Sequence, residues 1–294
     1  MTWRGKAHMK YLIFGIDGWL AKKFNNFLDD SYISDVDITD LPAIRRELEE
    51  KKPDTVINAA GMTGRPNIDW CEEHKAETIA VNVTGTLNIK LACWERNIYW
   101  MHLSSGCVFQ GSGPYEKGYM EYDKATPPSF YSWTKFWADD ILKNFPVLVV
   151  RLRLPIDTEP NPRNLIDKLL KYPKVIDSDN SVTVIPDFLY AAKMLMEKRK
   201  VGIYHVVNPG TIRPSEIMAL YKEMIDPMHQ FDVIRDSDLY TGGLAKAKRS
   251  NCVLNTGRLE DEGIFLKPIQ QRIIEVLQEY KQHIDSGAME KILL

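Results

Sequence analysis

Short apolar strands alternate with helical patterns in the first half of the chain, and this alternation limits the fold more than any other sequence feature. The predicted strands are 11–15, 55–60, 99–104 and 147–154. Apolar residues recur at helical spacing over 73–97 and 131–144, between successive strands. Parallel strands need such helices as crossover connections, and the helices cover both faces of the sheet. The sequence therefore predicts an α/β fold with a Rossmann-like, doubly wound parallel sheet.

The pattern changes after Pro155, where polar, turn-rich stretches such as TEPNPRN and DSDNS replace the regular alternation. A further sheet strand is predicted at 202–207, so we expect the chain to return to the first domain before leaving it again at Asn208. With 294 residues there is room for two modest domains. The predicted domains are 9–155 plus about 181–208, and a smaller, interleaved C-terminal domain of 156–180 plus 209–294.

Composition and charge argue against several kinds of partner. Lys and Arg number 38 against 40 Asp and Glu, so the net charge of -2 supplies no field for gripping a nucleic-acid backbone. The longest nearly apolar run, 146–156, is interrupted by Arg151 and Arg153 and falls short of the roughly 20 residues that a membrane-spanning helix needs. The 4 cysteines lack the spacing of a disulfide framework or a metal site. We therefore expect a cytoplasmic protein without nucleic-acid, membrane or metal partners.

A GxxGxxA motif follows the first predicted strand and opens a helix. Its members are Gly15, Gly18 and Ala21. Glycines at such a turn let backbone N–H groups approach a pyrophosphate closely, and the helix N-terminus favours the negative charge. The motif therefore indicates a dinucleotide site, although a glycine turn after a strand is also an ordinary structural device.

The residue that would hold the adenosine ribose is ambiguous in the sequence. Dinucleotide-binding folds place an acid about 20 residues after the glycine turn, and both Asp35 and Asp37 qualify. Lys22 or Lys23 would instead suit a 2′-phosphate, although paired lysines early in a helix are more often solvated.

Tyr131 and Lys135 form a YxxxK pair in a predicted helix. Residues four apart lie on one helix face, so the Lys135 ammonium can stabilise the Tyr131 phenolate and make the phenol a usable acid. Such a pair is common by chance on half-exposed helices. Here it follows Ser105, at the carboxyl end of a predicted parallel strand, where ligand crevices form. Because a serine there can donate a hydrogen bond to a carbonyl oxygen, the three residues together predict a site that acts on a carbonyl.

The order of these motifs resembles a known family. The glycine turn, the sequence NAAG at 58–61, Ser105 and the YxxxK pair are similar to extended short-chain dehydrogenases/reductases over nearly the whole chain after Lys10. Further segments resemble nucleotide-rhamnose synthases, relatives of dTDP-4-dehydrorhamnose reductase. They are NAAGMTGRPNIDWCE at 58–72, SSGCVF at 104–109, NPRN at 161–164 and RSN at 249–251. The resemblance implies a plant-type bifunctional 3,5-epimerase/4-reductase that converts UDP-4-keto-6-deoxy-glucose into UDP-L-rhamnose.

The chain departs from the family pattern at two places. Ala21 replaces the usual third glycine, and the segment 29–37 is short after the second strand, which leaves contacts to a cofactor 2′-phosphate open. Because family members mostly use NADPH, the resemblance favours NADPH, with NADH as the alternative.

Inverting C3 and C5 beside a C4 ketone needs two acid–base groups around the sugar ring. The resemblance assigns one role to Cys107, although an average cysteine is a small buried apolar residue. It assigns the other role to Lys174, which acts as a base only if burial or a second cation lowers its pKa. Strand alternation points His102 away from Ser105, so His102 is predicted to be a core histidine.

The resemblance also implies roles for residues that no spacing argument identifies. The residues expected to bind the cofactor are Gly15, Asp17, Gly18, Trp19, Leu20, Asp37, Ile38, Ala59, Ala60, Gly61, Asn82, Tyr131, Lys135 and Pro155. Those expected to bind the nucleotide sugar are Thr63, Arg65, Asn67, Ser105, Asn161, Arg163, Asn164 and Arg249. Asn82, in the interior of the helix predicted over 73–97, would support Lys135. Arg163 and Arg249 would clamp the diphosphate, because guanidinium groups match phosphate oxygens, and each is equally compatible with a surface salt bridge.

The expected reaction has two stages in one site. Ser105 and Tyr131 hold the C4 ketone while Cys107 and Lys174 exchange protons at C3 and C5, and the ketone is then reduced with Tyr131 as proton donor. The alternatives are a dTDP-4-dehydrorhamnose reductase without epimerase activity and a non-catalytic NADP-binding regulatory subunit. The residues do not choose between UDP-sugar and dTDP-sugar substrates, and they are compatible with a homodimer.

Overall fold

The computed structural model of the chain describes residues 9–287. The strands are β1 (Tyr11–Phe14), β2 (Ser31–Ser34), β3 (Thr55–Asn58), β4 (Tyr99–Ser105), β5 (Leu148–Leu152), β6 (Pro155–Ile156), β7 (Lys174–Ile176), β8 (Asn180–Val184), β9 (Gly202–His205), β10 (Asn208–Ile212) and β11 (Asp232–Ile234). The helices are α1 (Trp19–Phe27), α2 (Leu41–Lys51), α3 (Asp69–Glu73), α4 (Lys75–Ile79), α5 (Thr86–Glu95), α6 (Phe130–Leu142), α7 (Leu165–Leu169), α8 (Ile185–Glu197), α9 (Pro214–Met224), α10 (Asp236–Thr241), α11 (Gly257–Asp261) and α12 (Ile269–Asp285). A π-helical segment, Ala80–Gly85, joins α4 to α5, and a 3₁₀ turn, Gly106–Val108, follows β4.

The described chain divides into two compact units that interleave along the sequence. The first unit runs to Ser104 and adds Phe130–Val150 and Leu195–Ile203, and the second holds Ser105–Ser129, Arg151–Met194 and the described residues from Tyr204 onward. Residues 105–129 and 181–194 therefore lie in the second unit, whereas the sequence-based division placed them in the first domain. Backbone bonds from Gly111 to Asn251 and from Tyr119 to Val253 tie the first of these segments to distant residues. The predicted functional domain boundaries stay a prediction.

A six-stranded sheet in the order β2-β1-β3-β4-β5-β9 organises the first unit and confirms the predicted doubly wound fold. β1 pairs in parallel with both β2 and β3, and β3 pairs in parallel with β4. The chain builds the sheet on one side of β1 and then crosses to the other, so the carboxyl ends of β1 and β3 flank the topological switch point. In register there, Phe14 lies beside Asn58, and Asn58 lies beside His102.

The helices of the first unit begin where the sequence predicts, but one of them changes form. The Asp40 side chain caps α2 by accepting a hydrogen bond from the Ala43 N–H at 2.9 Å, and the helix buries Ile44 and Leu48 on one face. The single helix predicted over 73–97 is instead divided into α4, the π-helical segment and α5. Such π-helical insertions are frequent at functional sites, and this one carries Asn82.

The second unit contains two smaller sheets. One has the strand order β10-β8-β6, with β10 antiparallel and β6 parallel to β8, and the other pairs β11 in parallel with β7. Apolar residues of these strands pack with α7, α9 and α12. Fully buried members include Ile156, Val184, Ile217, Ile273 and Val276. The 17-residue α12 supplies much of this core because its apolar residues recur every three or four positions.

Three structural features concern membrane insertion, metal binding and disulfide formation. Within residues 9–287, no helix is both long enough and apolar enough to cross a membrane. The same residues contain no cluster of three or more His, Cys, Asp or Glu side chains placed to hold a metal ion. The four cysteines of the chain all fall in this range, where each is a buried thiol rather than half of a disulfide. The cytoplasmic location stays a prediction.

Candidate active site

The glycine turn between β1 and α1 has no room for side chains. Gly15 has a φ of +113°, and a Cβ built on it would lie 2.8 Å from the backbone nitrogen of Ala60 and 3.0 Å from the carbonyl carbon of Ala59. A Cβ on Gly18 would lie 2.9 Å from the carbonyl oxygen of Gly15, and the Gly18 N–H donates to that oxygen at 2.8 Å. Glycine is therefore required at both positions, and the turn presents bare backbone in front of α1.

The N-terminus of α1 is suited to a diphosphate. Its N-cap is Gly18, which has no side chain to accept from the first N–H groups of the nine-residue helix. Asp17 is exposed, while Trp19 and Leu20 are half-buried. Among residues 9–287, the buried indole nitrogen of Trp19 has no hydrogen-bond partner. These features fit a dinucleotide, because unsatisfied N–H donors lie beside a glycine turn that has no room for a Cβ.

The side chains that follow β2 differ in their exposure to solvent. Asp35 and Asp37 are not buried, and the Asp37 carboxylate accepts the N–H and the hydroxyl of Thr39 at 2.8 and 2.9 Å. Ile38, which the resemblance places near adenine, is buried, and a Cβ on Gly85 would lie 2.6 Å from its Cδ1. The Ile38 side chain thus packs in the core, and its contact with a cofactor stays a prediction.

Two buried amides fix the loop that follows β3. The Asn58 Oδ1 accepts from the Ala60 N–H at 3.1 Å. Asn82 accepts from the Met62 N–H at 2.7 Å and donates to the Met62 carbonyl at 3.0 Å and to the Thr134 hydroxyl at 3.0 Å. Asn82 therefore links this loop to α6. Gly61 is exposed, so its backbone stays accessible beside that link.

The YxxxK pair lies in the first two turns of α6, as predicted. Lys135 is buried, and its Nζ donates to the Leu103 carbonyl at 2.9 Å and lies 3.3 Å from Nε2 of His102. Tyr131 is half-buried, one turn before Lys135 on the same helix face. The arrangement holds the lysine rigidly and leaves the tyrosine partly accessible.

His102 is a residue whose role the sequence did not reveal. It is fully buried, as expected of a core histidine, but it contacts Lys135. Burial, and secondarily the charge of Lys135, hold the pKa of His102 well below its usual range, so the ring is neutral. Strand alternation shows which face His102 occupies but not which helix residue lies across from it.

The second unit holds Ser105 and Cys107. The Ser105 hydroxyl oxygen accepts from the Cys107 N–H at 3.2 Å and so caps the 3₁₀ turn. This bond uses an oxygen lone pair and leaves the hydroxyl hydrogen available to donate to a carbonyl. Cys107 is 5% exposed. A Cβ on Gly106 would lie 2.4 Å from Cδ1 of Leu254, so the turn rests closely on a neighbouring segment of the same unit.

The NPRN segment holds the loop before α7 through hydrogen bonds. Asn164 is fully buried, and its amide accepts from the N–H groups of Asp157 and Ile166 and donates to the carbonyls of Asp157 and Glu159. All of its hydrogen-bonding capacity caps α7 and closes the preceding loop, and its assignment as a substrate ligand stays a prediction. Asn161 accepts from the Arg163 N–H at 2.9 Å.

Two lysines of the second unit differ in burial, and the role of Lys174 as a base stays a prediction. Lys174 is exposed at the start of β7. Lys168, in α7, is half-buried, and burial together with the charge of Arg163 lowers its pKa. A signal for Lys168 was present in the sequence, since it lies one helical turn after Asn164 in the helix that NPRN begins. The sequence-based reasoning missed it because spacing does not show burial.

The remaining predicted substrate ligands lie on loops and at strand ends. Arg65 is exposed, Thr63 is half-buried, and the Asn67 Oδ1 caps the start of α3 by accepting from the Asp69 N–H at 2.8 Å. In the second unit, Arg249 and Pro155 are half-buried, and the Arg249 guanidinium donates to the Ala247 carbonyl at 3.1 Å. Their contacts with substrate or cofactor stay predictions.

Comparisons with known proteins agree with the fold and with the motifs. The sequence profile of a family described as RmlD substrate binding domain matches residues 9–282. A bifunctional dTDP-4-dehydrorhamnose 3,5-epimerase/dTDP-4-dehydrorhamnose reductase of Arabidopsis thaliana is 35% identical over 284 residues, which are 93% of this chain and 94% of the relative. A trifunctional UDP-glucose 4,6-dehydratase/UDP-4-keto-6-deoxy-D-glucose 3,5-epimerase/UDP-4-keto-L-rhamnose-reductase of the same plant is 33% identical over 93% of this chain, which spans 42% of that protein.

Solved structures show the same architecture. The L780 UDP-rhamnose synthase of Acanthamoeba polyphaga mimivirus superposes with a TM-score of 0.87 and 30% identity, covering 93% of this chain and 100% of that one. A dTDP-4-dehydrorhamnose reductase of Bacillus anthracis, solved in complex with NADP, gives a TM-score of 0.79 at 22% identity, covering 93% of this chain and 98% of that one. The second likeness concerns the fold alone.

Proposed function

Because the chain belongs to the RmlD substrate-binding domain family, we propose that it is an NADPH-dependent nucleotide-sugar reductase that also inverts C3 and C5, converting UDP-4-keto-6-deoxy-glucose into UDP-L-rhamnose. The observation that carries the reductase assignment is the buried Lys135, held by the Leu103 carbonyl and His102 one turn after Tyr131. Because Lys135 is buried and held in this way, its charge acts on a neighbouring side chain and is little screened by solvent. That neighbour is a phenol, which needs a cation to work near neutral pH.

The cofactor would lie against the glycine turn. Gly15, Gly18 and the start of α1 would hold its diphosphate, because the two glycines offer backbone where side chains do not fit. Ala59–Gly61 would lie beside the cofactor ribose. When bound, the reduced nicotinamide supplies the hydride for the ketone. NADPH is preferred to NADH on the family resemblance. Lys22 is exposed and Lys23 half-buried near the start of α1, and either would supply the cation that a 2′-phosphate needs.

In the reduction, Tyr131 gives its proton to the oxygen that was the C4 ketone, and Lys135 lowers the cost of the resulting phenolate. Ser105 donates a hydrogen bond to the same oxygen, since its own oxygen already accepts from Cys107 and its hydrogen is available. Asn82 acts at a distance. It holds the Met62 loop against α6 and so fixes the helix that carries Tyr131.

In the epimerisation, two groups exchange protons at carbons made acidic by the neighbouring ketone. We assign one role to Cys107 and the other to Lys168 in place of Lys174. A lysine must be neutral to take a proton, and burial together with the charge of Arg163 shifts the pKa of Lys168 downward, in the direction that this role needs. The bifunctional Arabidopsis relative and the mimiviral UDP-rhamnose synthase support the combined activity.

The nucleotide is proposed to be UDP. The trifunctional relative and the mimiviral synthase are both named for UDP sugars, whereas the bifunctional relative is named for dTDP sugars. The dehydratase activity of the trifunctional relative is not carried over, because the chain spans less than half of that protein.

The deciding experiment incubates the protein with UDP-4-keto-6-deoxy-glucose and NADPH in deuterated water. Loss of NADPH absorbance with formation of UDP-L-rhamnose labelled at C3 and C5 supports the whole proposal. Turnover of only the already epimerised 4-keto sugar identifies a reductase without epimerase activity. No turnover of either sugar, with UDP or with dTDP, leaves a non-catalytic NADP-binding subunit and refutes the proposal.

Variants separate the two stages. Cys107→Ala should stop deuterium incorporation at one carbon while reduction of the epimerised sugar continues. The matched control is Cys93→Ala, since Cys93 is also buried but packs in the apolar core of the first unit. Equal loss of labelling in both variants would show that Cys107 contributes packing rather than chemistry.

A further inference from the structure

A continuous set of hydrogen bonds connects the loop after β3 to Lys135. The Ala60 N–H donates to Oδ1 of Asn58 at 3.1 Å, and Nδ2 of Asn58 lies 3.1 Å from Nδ1 of His102. Nε2 of His102 lies 3.3 Å from Nζ of Lys135, which donates to the Leu103 carbonyl at 2.9 Å. All five residues belong to the first unit. The set crosses from β3 to β4 and then to α6.

The orientation of the Asn58 amide is determined by its neighbours. A backbone N–H can only donate, so Ala60 must face the amide oxygen. The amide nitrogen also lies 3.3 Å from the hydroxyl oxygen of Thr86, whose hydrogen goes to the Asn82 carbonyl at 2.9 Å. The Thr86 oxygen can therefore only accept from Asn58 in this arrangement. The second hydrogen on Nδ2 of Asn58 then points at Nδ1 of His102.

This orientation fixes the tautomer of His102. The ring is neutral because burial, the main cause, holds its pKa well below the usual range. With Nδ1 accepting from Asn58, the single ring proton must be on Nε2, which faces Nζ of Lys135. An ammonium has no lone pair to accept that proton. Every hydrogen bond of the set is therefore satisfied only when Lys135 is a neutral amine that accepts from His102 and donates to Leu103.

From this geometry we propose that His102 is a positioning residue that prepares Lys135 to release a proton to Tyr131 during the reduction. The proposal rests on the reductase function proposed above. Tyr131 transfers its phenolic proton to the alkoxide oxygen of the product, and the phenolate takes a proton from the Lys135 ammonium. The neutral amine that remains accepts the Nε2–H of His102, and it regains a proton from solvent after product leaves. No electrons move in these steps beyond those of the reduction itself.

Other ionisable groups lie on the elements packed around Lys135. On α6, Tyr131 and the buried Asp139 lie one turn before and one turn after it, and His102 faces it from β4. β3 and the π-helical segment carry no ionisable side chain in their sequences TVIN and AVNVTG. α3 and α4, which also contact α6, carry the charged residues of DWCEE and KAETI, and the Glu72 carboxylate accepts from the Phe130 N–H at the start of α6. A negative charge on Asp139 would favour the charged lysine and so oppose the effect of His102. Variants of His102 leave that opposing charge in place.

The first test is nuclear magnetic resonance of the protein labelled with ¹⁵N-histidine, without cofactor, at pH 7–8. The chain has 6 histidines, and the His102 signals are assigned by their loss in His102→Asn. Nitrogen chemical shifts that place the proton on Nε2 support the proposal. A proton on Nδ1, or a doubly protonated ring, overturns it. This readout does not depend on catalysis, so it stands even if the proposed activity is absent.

The second test compares pH profiles of kcat/KM for ketone reduction. His102→Asn keeps an acceptor for Asn58 but has nothing to donate to Lys135, whereas His102→Gln can place an amide near the former Nε2. We expect the basic limb of the His102→Asn profile to move up by about one pH unit, because Lys135 and Tyr131 keep their protons to higher pH. The basic limb of His102→Gln should lie close to that of the unmodified protein. An unchanged limb in His102→Asn, with the Nε2 tautomer confirmed, refutes the link to catalysis. If His102→Asn does not fold, His102→Gln supplies the assignment of the His102 signals, and the tautomer in the unmodified protein decides.

Discussion

Replacing Gly15 with alanine tests the packing on which the dinucleotide site depends. The new Cβ would lie 2.8 Å from the Ala60 nitrogen and 3.0 Å from the Ala59 carbonyl carbon, and both neighbours are backbone atoms. A flexible side chain could move aside, but here the loop after β3 must shift as a whole. Asn58 and Asn82 hold that loop through hydrogen bonds to Ala60 and Met62, so the shift also disturbs those bonds.

The destabilisation has two sources. A residue other than glycine at a φ of +113° costs about 1–3 kcal/mol in backbone strain. Forcing a methyl group into closely packed surroundings costs about 1–3 kcal/mol more. We therefore expect Gly15→Ala to lower the free energy of unfolding by about 2–6 kcal/mol. NADPH should bind at least roughly tenfold more weakly, because the cradle for the diphosphate moves with the loop.

Gly263→Ala is the matched control. Gly263 also has a positive φ, +73°, but a Cβ added there would meet no atom of the described residues within 4 Å. In this variant the free energy of unfolding should fall only by the cost of backbone strain, about 1–2 kcal/mol, and NADPH should bind normally. Urea unfolding and fluorescence titration with NADPH measure both quantities. If Gly15→Ala unfolds within about 0.5 kcal/mol of Gly263→Ala, a spread typical of neutral changes, the close-contact argument is wrong.

Three further changes have expected outcomes. Tyr131→Phe should reduce ketone turnover by about 10²–10⁴-fold while the NADPH dissociation constant stays within a factor of about two, and near-normal turnover would exclude Tyr131 as the acid. Lys168→Met should stop deuterium incorporation at C3 or C5, whereas Lys174→Met, at an exposed position, should not, and the reverse result would restore Lys174 as the base. Burial lowers the pKa of His102 and of His205, aided by Lys135 and Arg151 respectively, so the folded protein binds these protons less readily than the unfolded chain. Their contribution to stability is therefore complete above about pH 6.5 and lost as the pH falls, by up to about 1.4 kcal/mol per pH unit for each histidine. Urea unfolding between pH 5 and 8 should show this slope, His205→Asn should roughly halve it, and a flat profile would contradict the buried neutral state.

Local patterns were enough to predict the sheet and the central motifs. The alternation of strands and helices produces the parallel sheet, because each short apolar strand must be connected to the next by a crossover. The relation between Tyr131 and Lys135 needs only helical geometry, and the glycine turn needs only a strand followed by a helix. These features depend on residues close in sequence, so spacing alone identifies them.

Tertiary structure decided how distant residues meet. The sequence placed His102 on one face of a strand, but the fold brought Lys135 to it across 33 positions. It likewise buried much of Lys168, left Lys174 exposed and made the Asn164 side chain the cap of α7. Periodicity determines which way a side chain points along its own element. Burial, hydrogen-bond partners and proton affinity depend on what packs opposite, which only the folded chain specifies.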